Sequence, residues 1–327
     1  MVGLSHAAFR ELVRLYTPFP LHPVLFTEML STRRIPSERL DQAEALRVSP
    51  LEGRFVPQLL GNEEEFISAS IQRLLPLRPW GFDINMGCPM KKTLSHNWGV
   101  RLLGDVEYAG KVVAMTKRHS PVPVSVKLRS GQNDCTDLDF LLEFTSKLER
   151  AGADWLTVHC RPPARKHSGQ ADWETVARVR TERGIPVVVN GDLQTAADAM
   201  TVVRDLEVDG VMFGRAATAR PWVLWQLGHA LGFPECEGHP PSTPDEEGAE
   251  YFRAVYRLCN LLESHYGEGP SALQRLWLYV GISHRWLFYG HLFWTMVRRA
   301  RTLDEARDCI SDFGARYPQP MVSRVSW

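Results

Sequence analysis

Asp83-Ile84-Asn85-Met86-Gly87-Cys88-Pro89 reads as an apolar strand that stops at an amide, a glycine, a thiol and a proline. A strand ending in this way delivers a reactive side chain to the rim of a sheet. Gly87 lets the backbone approach closely, and Pro89 forbids the strand from continuing. Cysteine, with an ordinary pKa of about 8.5, is mostly a protonated thiol at neutral pH and can give up a proton when positioned. A single cysteine of this kind is more often a buried structural residue. Here six other strands end in the same manner, and that turns the reading toward a site.

Outward from this stretch, short apolar runs alternate with amphipathic segments from residue 24 to about 230. The runs at 24–29, 55–60, 82–86, 122–128, 155–159, 186–190 and 210–214 are rich in Val, Ile, Leu and Phe without clean alternation. That is the pattern of parallel strands buried on both faces. Segments 63–75, 106–118, 138–151, 173–183 and 195–206 between them read as helices. Repeated strand–helix units mean a parallel α/β sheet. A helix at about 6–16 precedes the first run, as the second half of a β–α unit would. Adding the missing strand gives eight, so the expected fold is a (β/α)8 TIM barrel whose first strand is truncated. Residues 233–245 form a Gly/Pro-rich linker. Helices are expected beyond it at 246–264, 270–281, 286–300 and 303–315, a small all-α bundle. The expected division is a barrel over 1–232, the linker, and a helical domain over 246–327.

Composition narrows the function classes. Among 327 residues Lys plus Arg equals Asp plus Glu at 38 each, so any basic surface must be local. The six cysteines (Cys88, Cys135, Cys160, Cys236, Cys259 and Cys309) are far apart and form no C-x-x-C pair. This spacing argues against a disulfide scaffold and a zinc site, and fits a reducing cytoplasm. No run of about 18 apolar residues is present to span a membrane.

Barrel enzymes carry their chemistry at the C-terminal ends of the strands. Those ends hold Glu28, Gln58, Asn85 with Cys88, Lys127 with Arg129, His159, Asn190-Gly191-Asp192, and Gly214-Arg215. Seven polar strand ends of varied hydrogen-bonding type look like the lining of a large polar ligand. The last two, strands seven and eight of the full scheme, combine glycines that expose backbone N–H groups with the fixed charge of Arg215, and loops in these places frequently hold a phosphate. Lys127, flanked by Val126 and Leu128, puts an ammonium into the cavity, where it needs a partner. The anionic N1–C2=O edge of a flavin would serve, with Gln58 and Asn85 bonding other ring heteroatoms. His159 is either a satisfied core histidine or a second ligand contact, and the role of Glu28 stays open.

The chain carries Q-L-x-G at 58–61, D-I-N-M-G-C-P-x-K-K at 83–92, S-V-K-L-R at 125–129, L-T-V-H at 156–159, V-V-N-G-D at 188–192 and D-G-V-M-F-G-R-A at 209–216. In these motifs and their order it resembles the tRNA-dihydrouridine synthases, over about residues 1–230. The opening M-V-G-L-S-H-A-A-F-R resembles the family's opening from its methionine onward. The resemblance implies an FMN-dependent enzyme that reduces uridine in tRNA to 5,6-dihydrouridine with NADPH (or NADH). It implies Cys88 as proton donor, contacts from Gln58, Asn85, Lys127 and His159 to the flavin ring, and Asn190, Gly191, Asp192, Gly214 and Arg215 around the phosphate. Met1 and Val2 would touch the flavin through their backbone. The chain departs from the family pattern at 97–103, where one glycine is kept and Trp98 is added, and at 161–169, where two prolines appear.

A base that is to react must leave its stack and enter a pocket. Residues 251–301 carry seven arginines, no lysine and two acids, with eleven aromatic residues interleaved. Arginine beside aromatics suits phosphate contact and base stacking. Arg275, Arg285, Arg298 and Arg299 are the expected RNA contacts there, and the aromatics at helical spacing are expected in the core. Lys91, Lys92, Arg161, Arg165 and Lys166 are expected on rim loops facing the tRNA backbone. The expected assembly is a cytoplasmic monomer with tRNA as partner, without metal or membrane. Two rival readings are a flavin barrel acting on a free pyrimidine, like a dihydroorotate dehydrogenase, and an inactive RNA-binding relative.

Overall fold

Branched and aromatic apolar residues fill both faces of seven strands: β1 (Val24–Ser31), β2 (Arg54–Leu60), β3 (Phe82–Met86), β4 (Val124–Arg129), β5 (Trp155–His159), β6 (Val187–Asn190) and β7 (Gly210–Met212). All of β3 is buried, as expected of a strand covered on both sides. The computed structural model describes residues 1–327 except 20, 41, 42, 133, 235–237 and 327, and the side chains of 91 and 92. The strands lie in sequential order, each parallel to the next. Their connecting helices are α1 (Ala7–Leu15), α2 (Glu64–Leu74), α3 (Lys91–Leu94), α4 (Val106–His119), α5 (Leu138–Arg150), α6 (Trp173–Thr181), α7 (Ala196–Met200), α8 (Ala216–Ala219) and α9 (Val223–Ala230). Asp105, Asp137 and Asp172 cap α4, α5 and α6 by accepting a backbone N–H of the first turn. The architecture is a (β/α)8-type barrel with seven strands among the described residues. Leu4 and α1 pack in one cluster with Leu25 of β1 and with Ala216 and Ala217 after β7, joining the two edges of the sheet.

Beyond residue 243 come α10 (Pro244–Tyr266), α11 (Pro270–Ser283), α12 (Gly290–Val297) and α13 (Leu303–Arg316). Their apolar faces do not close on themselves. Tyr251, Leu258, Leu276, Trp286 and Phe313 share one continuous core with Phe9 and Leu12 of α1 and with Trp222. A second core lies between the sheet and α2, α4, α5 and α6.

Two expected helices differ. The segment 195–206 is α7 followed by a wider π turn at Thr201–Asp205, where β-branched Thr201, Val202 and Val203 crowd a regular helix. The helix expected from 286 begins at Gly290. Leu287 bridges Met321 instead, and the Tyr289 N–H donates to Gln319 Oε1 at 2.9 Å, so the C-terminal tail holds Leu287 extended and Phe288 and Tyr289 in a turn. Gly290 is required at the turn, since a Cβ there would stand 1.8 Å from the His284 carbonyl oxygen. This leaves Phe288 and Tyr289 exposed at 67% and 61%.

Two buried ion pairs tie the layers. Arg220 of the α8–α9 turn donates to Glu247 of α10 through two nitrogens, each at 2.8 Å. Arg10 of α1 donates to Glu52 at 2.6 Å and also to the carbonyl oxygens of Ser5 and Arg47. Glu52 is fully buried, so removing its arginine strands a charge. Arg10→Met is therefore expected to lower unfolding stability by about 3–5 kcal/mol. Adding Glu52→Gln should return much of that loss, read from urea denaturation midpoints.

Candidate active site

The polar strand ends converge on one cavity of about 910 Å³, whose lining runs from the C-terminal rim down the barrel to Trp155 and Pro186. Gln58, Asn85, Cys88, Lys127, His159, Asn190, Gly191, Asp192, Gly214 and Arg215 line it, with Met1 and Val2. Glu28 does not line the cavity. It lies where the β1 register shifts between Phe26 and Met29.

Cys88 is held by its backbone. Asn85 Oδ1 accepts the N–H of Gly87 at 3.1 Å and of Cys88 at 3.0 Å, while Arg129 Nε donates to the Gly87 carbonyl oxygen at 3.1 Å. On the far side Val100 N–H donates to the Cys88 carbonyl oxygen. Gly99 adopts φ 59°, and a Cβ there would lie 2.7 Å from that oxygen, so the one glycine kept in this loop is the one its geometry requires. Trp98, also buried, donates from Nε1 to Asn62 Oδ1 at 2.8 Å and pins the loop to the β2 end. The thiol sits 3.6 Å from Thr93 Oγ1.

The same cavity is also lined by cations. Lys127 Nζ donates to Asn190 Oδ1 at 3.0 Å, and Asn190 Nδ2 donates to the Met212 carbonyl oxygen at 2.7 Å. Burial lowers the Lys127 pKa to about 8 against the opposing pull of Asp83. Burial, then the charge of Arg161, brings Arg215 down to about 10. His159 is pushed far below its ordinary value by burial and by Lys127, Arg129 and Arg161, so it is neutral, and its buried Nδ1 has no hydrogen-bond partner. Gly191 has φ 113°, a conformation that side chains avoid. A Cβ on Gly214 would meet only Met1 Sδ at 3.9 Å, which leaves room for a ligand against the backbone. A desolvated cation cluster, an orphaned imidazole nitrogen and an open glycine together describe a cradle for an anionic, hydrogen-bonding ligand.

The model of the dihydrouridine synthase (Dus) family matches residues 1–286. The chain belongs to that family. It is 32% identical over 227 residues to the probable tRNA-dihydrouridine synthase 1 of Synechocystis sp., covering 69% of this chain and 62% of that one. It is 31% identical over 245 residues to tRNA-dihydrouridine synthase B of Pseudomonas aeruginosa, covering 75% and 71%. With the probable tRNA-dihydrouridine synthase of Rickettsia conorii it shares 29% identity over 296 residues, 89% of this chain and 86% of that one.

In this dihydrouridine synthase family member the expected RNA contacts separate into two groups. Arg165, Lys166, Arg285, Arg298 and Arg299 are exposed. Arg161 and Arg275 are not available as expected. Arg161 is buried and bonded to Asp192 and the Gly169 carbonyl oxygen, which latches the 161–169 loop. Arg275 is paired with Glu44 and stacked over Tyr266, 4.3 Å from the ring centroid, against the barrel. The side chains of Lys91 and Lys92 lie outside the described residues. Of the aromatics, Trp286 and Phe293 are core, as expected, whereas Phe288 and Tyr289 stand in solvent.

The site also has members that sequence reading missed. Asp83, Asn62 and Thr93 support the cysteine loop or its neighbours, beside Trp98 and Arg129, which the sequence did mark; Arg129 bridges that loop to the carbonyl oxygens of Pro162 and Lys166. The available signal was the period of two in a strand, which puts Asp83 on the same face as Asn85. Because Trp98 holds the loop closed, Trp98→Ala is expected to speed iodoacetamide alkylation of Cys88 about tenfold or more through local opening. Mass spectrometry of the Cys88 peptide measures this.

Proposed function

We propose that this protein is an FMN-dependent tRNA-dihydrouridine synthase that reduces the C5=C6 bond of a tRNA uridine. The observation that carries the reading is that one cavity is lined by a clamped thiol, a desolvated cation cluster and a histidine with an orphaned imidazole nitrogen. With FMN held there and NADPH as its reductant, the site would have a hydride to deliver to C6 of the uracil ring.

The chain's own residues do the rest. Lys127 offers a positive charge to the electron-rich edge of the ring, and neutral His159 offers Nδ1. Gly214 and Arg215 meet the phosphate with an open backbone and a fixed charge. The preceding loop contributes less through any helix dipole, because α7 starts only at Ala196 and its N-terminus is already capped by Thr195 and Asp198. Negative charge that builds at C5 is quenched by the proton on Cys88 Sγ, which leaves a thiolate for the solvent or a nearby group to reprotonate. Asn85, Arg129 and Gly99 keep that sulfur in place. The tRNA approaches over Arg285, Arg298 and Arg299, with Phe288 and Tyr289 as exposed stacking surfaces.

Dihydrouridine should disappear from one position of total tRNA when the gene is deleted in a strain without redundant synthases, read by nucleoside mass spectrometry and mapping. An unchanged dihydrouridine content would overturn the reading. In the purified protein, Cys88→Ala should still bind FMN and tRNA while its single-turnover reduction slows about 10²–10⁴-fold.

The affinity for FMN should also depend on pH. Lys127 holds its proton below about pH 8 and loses it above, so a ligand that uses the ammonium binds more weakly as pH rises through 8. Titrations at pH 7 and pH 9 should differ for the wild type and agree for Lys127→Met.

A further inference from the structure

Three acids are buried among the described residues that carry side chains. Glu52 and Glu247 each face an arginine at ion-pair distance, whereas Asp83, with no exposed surface, faces a hydroxyl and an amide. Ser125 Oγ donates to Asp83 Oδ1 at 2.5 Å, and Gln58 Nε2 donates to Asp83 Oδ2 at 2.7 Å. From Gln58 the bonds continue: Asn85 Nδ2 donates to Gln58 Oε1 at 2.8 Å, and Asn85 Oδ1 accepts the N–H groups of Gly87 and Cys88.

We propose that Asp83 is a positioning residue for this site: its carboxylate determines which way round the Gln58 and Asn85 amides lie, and so both holds the Cys88 loop and sets which hydrogen-bonding groups meet the ligand. The inference rests on the cofactor reading above only for the identity of the ligand. An ionised carboxylate accepts and cannot donate. Gln58 must therefore turn Nε2 toward it, which leaves Oε1 for Asn85. Asn85 must then give Nδ2 to Gln58 and keep Oδ1 for the loop. Reversing either amide would set like groups against each other in a buried place, and buried unmet polar groups are strongly disfavoured. The charge of Lys127 helps keep the carboxylate ionised against burial, which pushes its pKa up to about 6.

The inventory that remains is specific. One N–H on Gln58 Nε2, one on Asn85 Nδ2 and one lone pair on Gln58 Oε1 are unused, all on side chains that line the cavity. Donors outnumber acceptors, so the ring edge these residues receive is one that carries carbonyl oxygens or bare ring nitrogens, as a pyrimidinedione does.

The test uses the full-length chain and two readouts: iodoacetamide alkylation of Cys88 in flavin-free protein, and the affinity for FMN by fluorescence. Asp83→Asn permits either amide orientation, so alkylation is expected to rise and FMN affinity to fall, each about tenfold. The double variant Asp83→Asn, Gln58→Glu moves the carboxylate one link along. It can again accept from Asn85, so alkylation should return to the wild-type rate. FMN affinity should stay low, because the donor of residue 58 has become an acceptor. This split would not follow if Asp83 only filled space. Wild-type values for both readouts in Asp83→Asn would overturn the proposal, as would alkylation that stays raised in the double variant. If Asp83→Asn alone does not fold, recovery of folding and of wild-type alkylation in the double variant supports it, and failure of both to fold overturns it. If the wild type itself does not bind FMN, the cofactor reading fails, and the alkylation arm still decides the role of Asp83.

Discussion

Parallel pairing is the constraint on which this molecule depends. When every strand runs the same way, all their C-terminal ends fall on one rim. The register then makes neighbours of residues distant in sequence: Asn85 pairs with Lys127, Arg129 with His159, and His159 with Asn190. The polar groups are thus carried to the cavity by hydrogen-bonded strands rather than by mobile loops, and rigid elements hold a site more closely than loops do. The loops add only what strands cannot, such as the left-handed turns at Gly99 and Gly191.

The same geometry concentrates charge. Lys127, Arg129 and Arg215 line the cavity with the charge of Arg161 close by, and the lowered pKa values of Lys127 and Arg215 reflect how poorly their charges are solvated. The acids nearby are already engaged. Asp192 takes Arg161 and the N–H of Ala171, and Asp83 takes Ser125 and Gln58. An anionic ligand would relieve this imbalance, because a negative group among these cations favours their charged forms.

The helical region is bound into this frame rather than appended to it. α10 and α11 share a core with α1, and the Arg220–Glu247 pair fastens α10 to the end of the barrel. As a result Ile282 and Trp286 reach the cavity wall. The exposed Phe288 and Tyr289 follow directly after, so the surface that would receive RNA and the cavity that would receive its base belong to one packed body.

Sequence alone determined the strands, most helices and most of the polar groups that line the cavity, Glu28 excepted, because burial on both faces of parallel strands leaves continuous apolar runs whose polar ends stand out. It also marked Cys88, whose neighbours Gly87 and Pro89 announce a strand end. Tertiary structure alone decided which charges are spent. Arg161 and Arg275 read as RNA contacts until their partners Asp192 and Glu44 came within reach, and Phe288 and Tyr289 fell inside an expected helix until the tail at Gln319 and Met321 held them outside it. It likewise decided the direction of the Asp83–Gln58–Asn85 chain. Hydrogen-bond polarity is a property of pairs, and these partners come from different strands, 25 and 27 residues apart in the chain.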